Sequence, residues 1–256
     1  MTREFFEKEY NQDRFVTNPR VIAKTLELSP KSVKRLYVTS NFLHKHFEWK
    51  KKLSGISVPY RICSTDVLNS YTRDHAGILA VLEDTKFISL ESFLEKVQDK
   101  KDSLITVFDK ITDVGNFNAM VRTAYACGVD GIIIPKVGAT TNFQASLHGS
   151  AGAVLSIDLI KVTNISRALE NLKKIGYWIV GTDSHSNSTF WEHSFSEKVV
   201  LVVGSEEKGV RSNILKACDF VVSIPSVNKI DSLNVSVSFG VMLYEILRQK
   251  KFLLRL

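Results

Sequence analysis

From residue 104 onward, uninterrupted apolar runs alternate with longer stretches in which apolar residues recur at helical spacing. The runs are "LITVFD" (104–109), "GIIIP" (131–135), "VLSIDLI" (154–160), "YWIVGTD" (177–183), "VVLVVG" (199–204) and "FVVSIP" (220–225). A strand that is apolar at nearly every position has no solvated face, so these runs predict buried parallel strands covered by helices on both sides. Residues 104–256 are therefore expected to form an α/β domain built on a wound parallel sheet. The earlier part of the chain has a different pattern. Short apolar strands at "RLYVT" (35–39) and "GILAVLE" (77–83), with helical patterns around 18–28 and 41–53, predict a smaller mixed α/β domain over 1–86. Between the two, "FISLESFLEKVQDKKDS" (87–103) is charged and amphipathic, and it reads as a linker carrying its own helix.

One helical pattern starts oddly. "IPSVNKIDSLNVSVSFGV" (224–241) passes from a strand through a polar loop into a helix whose first turns hold Ser236, Ser238 and Gly240. Small residues at that spacing predict close approach of another backbone or of a ligand.

Composition narrows the function classes. The chain has 256 residues, 44% hydrophobic and 24% charged, with no apolar run long enough to cross a bilayer, so no membrane partner is expected. "MTREFFEKEYNQDR" at the N-terminus has neither a signal-peptide core nor the acid-poor pattern of a transit peptide, and a cytoplasmic location is expected. Cys63, Cys127 and Cys218 are odd in number and widely spaced, which suggests reduced packing residues and neither a disulfide framework nor a metal site. Residues 1–82 carry 14 Lys+Arg against 8 Asp+Glu, so most of the overall formal charge of +7 lies there. Within that stretch Lys31, Lys34, Arg35, Lys45, Lys50, Lys51 and Lys52 stand beside His44, His46, Phe42, Phe47 and Trp49. Cations interleaved with aromatics suit a polyanion whose bases can stack, and a solvated helix face is the plainer alternative.

In wound sheets ligands bind beyond the carboxyl ends of the strands, so the residues after each run are where chemistry is expected. After "LITVFD" comes a helix start with Asn116 and Arg122, and no apolar pattern accounts for the arginine between Val121 and Ala124. After "VVLVVG" comes a glycine-flanked acidic turn with Gly204, Glu206 and Gly209, and the third place is the 224–241 loop with Asn234. Each of these has an ordinary reading as a helix cap or a turn residue. Their recurrence after three strands of one sheet favours a shared site.

These residues carry a resemblance. "DVGNFNAMVRTA", "VVGSEEKGV" and "IPSVNKIDSLNVSVSFGVMLYE" resemble, in order, the three motifs of the SpoU (TrmH-like) branch of the SPOUT RNA methyltransferases, and "DHAGILAVLE" and "VTNPRVIAKTL" resemble its N-terminal signatures. The likeness is greatest to 23S ribosomal RNA guanosine 2′-O-methyltransferases with an N-terminal substrate-binding domain. It implies an enzyme that binds S-adenosylmethionine in a C-terminal trefoil knot, works as a homodimer and needs no metal. Arg122 is then the central catalytic residue, supported by Asn116, Glu206, Ser232 and Asn234. Thr182, Asp183, Gly204, Gly209, Ile224 and Leu233 are expected around the cofactor, and Lys34, Arg35, Lys50, Lys51 and His75 against RNA, ribosomal in preference to transfer. The alternatives are a transfer RNA 2′-O-methyltransferase and a non-catalytic RNA-binding or ribosome-assembly factor of the same fold. The sequence departs from the family pattern at Asn118, where glycine is usual, at Val114-Gly115 in place of Pro-His, at Glu207 in place of glycine and at Ala76 in place of glutamine. A side chain at position 118 is expected to narrow the site or alter the target.

Overall fold

The structure is a computed structural model, and it describes residues 14–83, 87–139, 149–150, 152–195, 197–228 and 232–250. Two compact units emerge, one built on the N-terminal part together with residues up to Ser156 that lie between the second and third strands of the larger sheet, the other on the rest.

In the first unit, β1 (Arg14–Val16), β2 (Val33–Thr39), β3 (Tyr60–Cys63) and β4 (Ile78–Leu82) form one sheet in the order β1-β4-β2-β3. Its first helix, α1 (Pro19–Leu28), starts where Asn18 accepts from the backbone N–H of Arg20 at 2.9 Å and of Val21 at 3.3 Å, with proline in the first turn. The helical pattern of 41–53 is two helices, α2 (Ser40–Lys45) and α3 (Phe47–Ser54), divided at His46, whose φ and ψ of −127° and 75° are not helical. Helix α4 (Thr65–Asn69) places Leu68 against Tyr37, Leu79 and Val81, while Leu36, Val38, Phe42, Trp49 and Leu53 are buried as well. The run read as a strand over 154–160 is divided. Ala153–Leu155 is a 3-10 turn opened by Gly152 at φ +83°, and Ser29 Oγ donates to Leu155 O at 3.1 Å within this unit.

In the second unit, β5 (Ser103–Asp109), β6 (Gly131–Pro135), β7 (Asp158–Val162), β8 (Trp178–Thr182), β9 (Lys198–Gly204) and β10 (Phe220–Val222) form a sheet in the order β10-β8-β9-β5-β6-β7. Every pairing is parallel. The expected α/β architecture with a wound parallel sheet is thus present. One face packs on α5 (Leu90–Val97), α7 (Ile165–Lys174) and α8 (Ser212–Leu215) through Phe93, Val97, Leu169, Leu172 and Ile214. Because Phe93 and Val97 are wholly buried in that core, the stretch read as a linker is part of the second unit. Also in this unit are α6 (Val114–Ala126) and α9 (Val235–Gln249), which pack on each other. Phe108 meets Phe117 and Phe239 edge-on, with ring centroids 6.0 and 5.4 Å apart. Removing the Phe108 ring from such a core costs about 3–5 kcal/mol.

The register sets the site. Asp109 is paired with Gly204, Gly181 with Val202 and Thr182 with Val222, so β5, β9, β8 and β10 finish within one residue of one another along one edge.

Candidate active site

At that edge lies a cleft of about 720 Å³, within the usual size of small-molecule sites. Its walls include Thr182, Asp183, Gly204, Glu206, Gly209, Ile224, Ser232 and Leu233, and thus every residue expected around the cofactor. Ser238, one of the small residues expected to allow close approach, lines it too, and so do Ser184, His185, Ser205, Ser223, Ser226 and Met242, which sequence reading did not single out as ligand residues. Following each strand one or two residues further would have found His185, Ser205 and Ser226.

Close backbone packing occurs at Gly204. A Cβ there would lie 2.0 Å from the carbonyl carbon of Gly209 and 2.2 Å from Val210 N, so the returning turn rests directly on the strand end. Gly209 itself has φ +61°, a region open to glycine at little cost. The expectation for Gly240 differs from what is found. Its nearest neighbour for a Cβ is Thr123 Cγ2 at 3.9 Å, an ordinary contact, because Gly240 lies where α9 packs on α6. Ser236 Oγ donates to Asn234 Oδ1 at 2.6 Å and Ser238 lines the cleft, so the three small residues have three separate environments.

Asn234 joins cap and site. Its Oδ1 accepts from Ser236 N at 3.0 Å and Val237 N at 3.3 Å, starting α9, while its Nδ2 donates to Asn116 Oδ1 at 3.1 Å and to Glu206 Oε1. Glu206 Oε1 also accepts from Val235 N at 3.4 Å. Asn116 is held on the first turn of α6, where its N–H donates to the capping Asp113 Oδ1 at 2.7 Å. Three expected catalytic residues from separate parts of the chain therefore share one hydrogen-bonded cluster, with Ser232 in the neighbouring cleft wall. Residues 229–231 of the third motif lie outside the described residues.

Arg122 is not in this cluster. It is exposed on α6, and among the described residues no hydrogen bond joins it to Asn116, Glu206 or Asn234. Six helical positions separate it from Asn116, about 9 Å along the axis and about 120° around it. Asn118, which was expected to narrow the site or alter the target, is only 6% exposed and is absent from the lining of this cleft.

The expected RNA residues of the first unit are of two kinds. Lys34, Arg35, Lys50 and Lys51 are exposed, with the adjacent Lys34 and Arg35 both outward where the β2–β4 register shifts. His75 is instead engaged at both ring nitrogens, accepting from Gly77 N at 3.1 Å and meeting Asn69 Oδ1 at 3.1 Å, so it braces the turn into β4. Of the interleaved aromatics, Phe42 and Trp49 pack edge-on in the core and Phe47 is exposed, with Lys50 Nζ 5.2 Å from its ring centroid.

The profile of the SpoU rRNA Methylase family matches residues 103–244, the whole of the parallel sheet, the cleft and most of α9. The chain belongs to the SpoU family. It is a methyltransferase that acts on RNA and uses S-adenosylmethionine. Among its relatives, YacO of Bacillus subtilis, assigned to the TrmH family of tRNA/rRNA methyltransferases, is 30% identical over 247 residues, covering 93% of this chain and 97% of YacO. The SpoU methyltransferase AviRb from Streptomyces viridochromogenes, solved with AdoMet, superposes with TM-score 0.75 at 23% identity, covering 98% and 94% of the two chains. A solved RNA 2′-O ribose methyltransferase superposes with TM-score 0.69 at 25% identity, covering 98% of this chain and 93% of the other. The cleft fits a SpoU cofactor in its chemistry. Val203, Val222, Ile224, Leu233 and Met242 offer apolar walls for a nucleobase, and Thr182, Asp183 and the backbone around Gly204 offer polar groups.

Proposed function

We propose that this SpoU protein methylates a ribose 2′-hydroxyl of structured RNA, with a guanosine of 23S ribosomal RNA as the favoured target. The observation that carries this reading is the Glu206–Asn234–Asn116 cluster at the rim of the cleft. S-adenosylmethionine, held by Thr182, Asp183, Gly204, Gly209, Ile224 and Leu233, supplies a methyl group already activated by its sulfonium. What remains for the protein is to orient a weak nucleophile and receive its proton. Asn234 and Val235 N–H hold Glu206 through Oε1, and Oε2 is the atom that takes the hydroxyl proton. Ser232, in the cleft wall, hydrogen-bonds the ribose. Arg122 has a guanidinium that donates but does not accept, so it serves as an electrostatic clamp on the target phosphate and the developing alkoxide.

The exposed position of Arg122 fits a homodimer in which a second copy completes its surroundings. Nearby on α9, Val237, Val241 and Tyr244 form an exposed apolar stripe at helical spacing. A trefoil knot formed by the chain after β9, a cytoplasmic location, and capture of RNA by the basic first unit belong to the same reading. Lys34, Arg35, Lys50 and Lys51 then contribute salt-sensitive phosphate contacts.

The test is methyl transfer from labelled S-adenosylmethionine to unmodified ribosomal and transfer RNA, with Arg122→Ala alongside and the ribose methylation mapped. Label at one ribosomal RNA site, lost in the variant, is expected. Label on transfer RNA alone would move the assignment to that substrate, and cofactor binding without label on either would make the protein a non-catalytic RNA-binding factor.

A further inference from the structure

Asp109 is the last residue of β5, and its side chain is 1% exposed. None of the roles above uses it. Its carboxylate accepts from Arg211 in a bidentate fork, with Nε 3.0 Å from Oδ1 and 3.1 Å from Oδ2 and Nη2 2.7 Å from Oδ1. The Arg211 backbone N–H adds a further bond to Oδ2 at 3.1 Å. Asp109 is register-paired with Gly204, so this ion pair lies beside the point where β9 ends.

The turn that carries Glu206 begins at Gly204 and comes back onto it. Gly209 N donates to Ser205 O at 2.8 Å, closing the turn, and the backbone of Gly209 and Val210 presses on the bare Cα of Gly204. Arg211 follows at once. The turn is thus anchored by β9 at one end and by the arginine–aspartate fork at the other. Glu206, between the anchors, has to meet an asparagine at the start of α9 that also bonds the first turn of α6. With one anchor gone, the carboxylate would lose its fixed place relative to those two helices.

We propose that Asp109 and Arg211 are positioning residues for methyl transfer, their ion pair fixing the 204–211 turn so that Glu206 engages Asn234 and Asn116. This rests on the role given to Glu206 above. A planar fork fixes direction as well as charge, which a lysine at 211 would not reproduce.

The test uses the full chain with Asp109→Asn and Arg211→Lys, at saturating cofactor and well below the unfolding temperature. Since a misplacement of about 1 Å can cost about 100-fold in rate, kcat is expected to fall on the order of 30-fold in Asp109→Asn and about 5-fold in Arg211→Lys, with KM for RNA within about 2-fold. The side-chain amide resonances of Asn234, which report its bonds to Glu206 and Asn116, are expected to shift in both variants. A purely structural pair would lower the unfolding temperature while leaving kcat per folded molecule and those resonances unchanged, and that result overturns the proposal. If the wild type methylates no RNA, the functional reading falls separately, and the amide resonances alone then decide for or against the pair. Should Asp109→Asn fail to fold, Arg211→Lys, at a side chain 40% exposed, carries the same test.

Discussion

Gly204 and Arg122 show two ways in which a single residue matters here. At Gly204 the constraint is steric, since no β-carbon fits 2.0 Å from another backbone carbon. Gly204→Ala is expected to lower stability by about 3 kcal/mol, the upper part of the range for forced overpacking, and to weaken S-adenosylmethionine binding at least about 10-fold. Thermal melts and calorimetry would check both. At Arg122 the side chain is exposed, and the constraint set by the clamp proposed above is electrostatic and directional. Arg122→Lys keeps the charge and loses the planar fork, and is expected to reduce kcat about 100-fold with cofactor affinity unchanged. Unchanged turnover would refute the clamp. Both residues stand out in sequence, one as a glycine ending an apolar run and the other as an arginine in an apolar helix. Their environments do not, because a contact between Gly204 and Gly209 or a distance between Arg122 and Asn116 depends on how the chain folds back.

At the scale of the element, α9 opens with a residue that has two separable jobs. Asn234 caps the helix with Oδ1 and holds Glu206 and Asn116 with Nδ2. Asn234→Asp keeps an acceptor for the cap and removes the donor, and it sets a carboxylate against Glu206. The expected outcome is an unfolding free energy within about 1 kcal/mol of the parent, the usual worth of a cap, together with loss of nearly all turnover. A fall in stability with turnover retained would mean that the cap alone matters. The far end of α9 is also tied in. The side chain of Lys250 is buried, with its pKa lowered mainly by desolvation, and its ammonium donates to Ser103 O at 3.0 Å and to Glu197 O. Neither Ser103 nor Glu197 signals that role in sequence, because a backbone carbonyl has no residue type.

For the whole molecule, two properties can be tested without RNA. Burial pushes the Tyr177 hydroxyl up to about 12, the Cys218 thiol to about 12 and the Cys127 thiol to about 11. In each case the folded state holds its proton more tightly than the unfolded state. The stability is therefore fully present below the ordinary values of 9.0 for the thiols and 10.0 for tyrosine, and is lost as pH rises through the folded values. Denaturant midpoints are expected to fall steadily above pH 9, and less steeply for Cys218→Ala. A midpoint flat to pH 11 would contradict this. The exposed stripe of Val237, Val241 and Tyr244 predicts self-association. Sedimentation is expected to show a dimer that Val241→Glu converts to a monomer with reduced turnover, and a monomeric parent would remove the basis for that reading.

Much of the second unit is legible from sequence alone. An all-apolar run can only be a buried segment, so the positions of β5, β6, β8 and β9 and the places where polar residues gather after them follow from the pattern of residues. The tertiary structure decided the rest. Val154 and Leu155 are as apolar as any strand residue, yet they belong with the first unit because Gly152 turns the chain there and Ser29 takes up a carbonyl. Phe42 and Trp49 could have been stacking surfaces, and only docking of α2 and α3 made them core. The pairing of Asp109 with Arg211 joins residues 102 positions apart. Periodicity reports which face of an element is buried, whereas such a pair depends on which elements become neighbours, and that is settled only when the level ends of β5 and β9 bring their loops together.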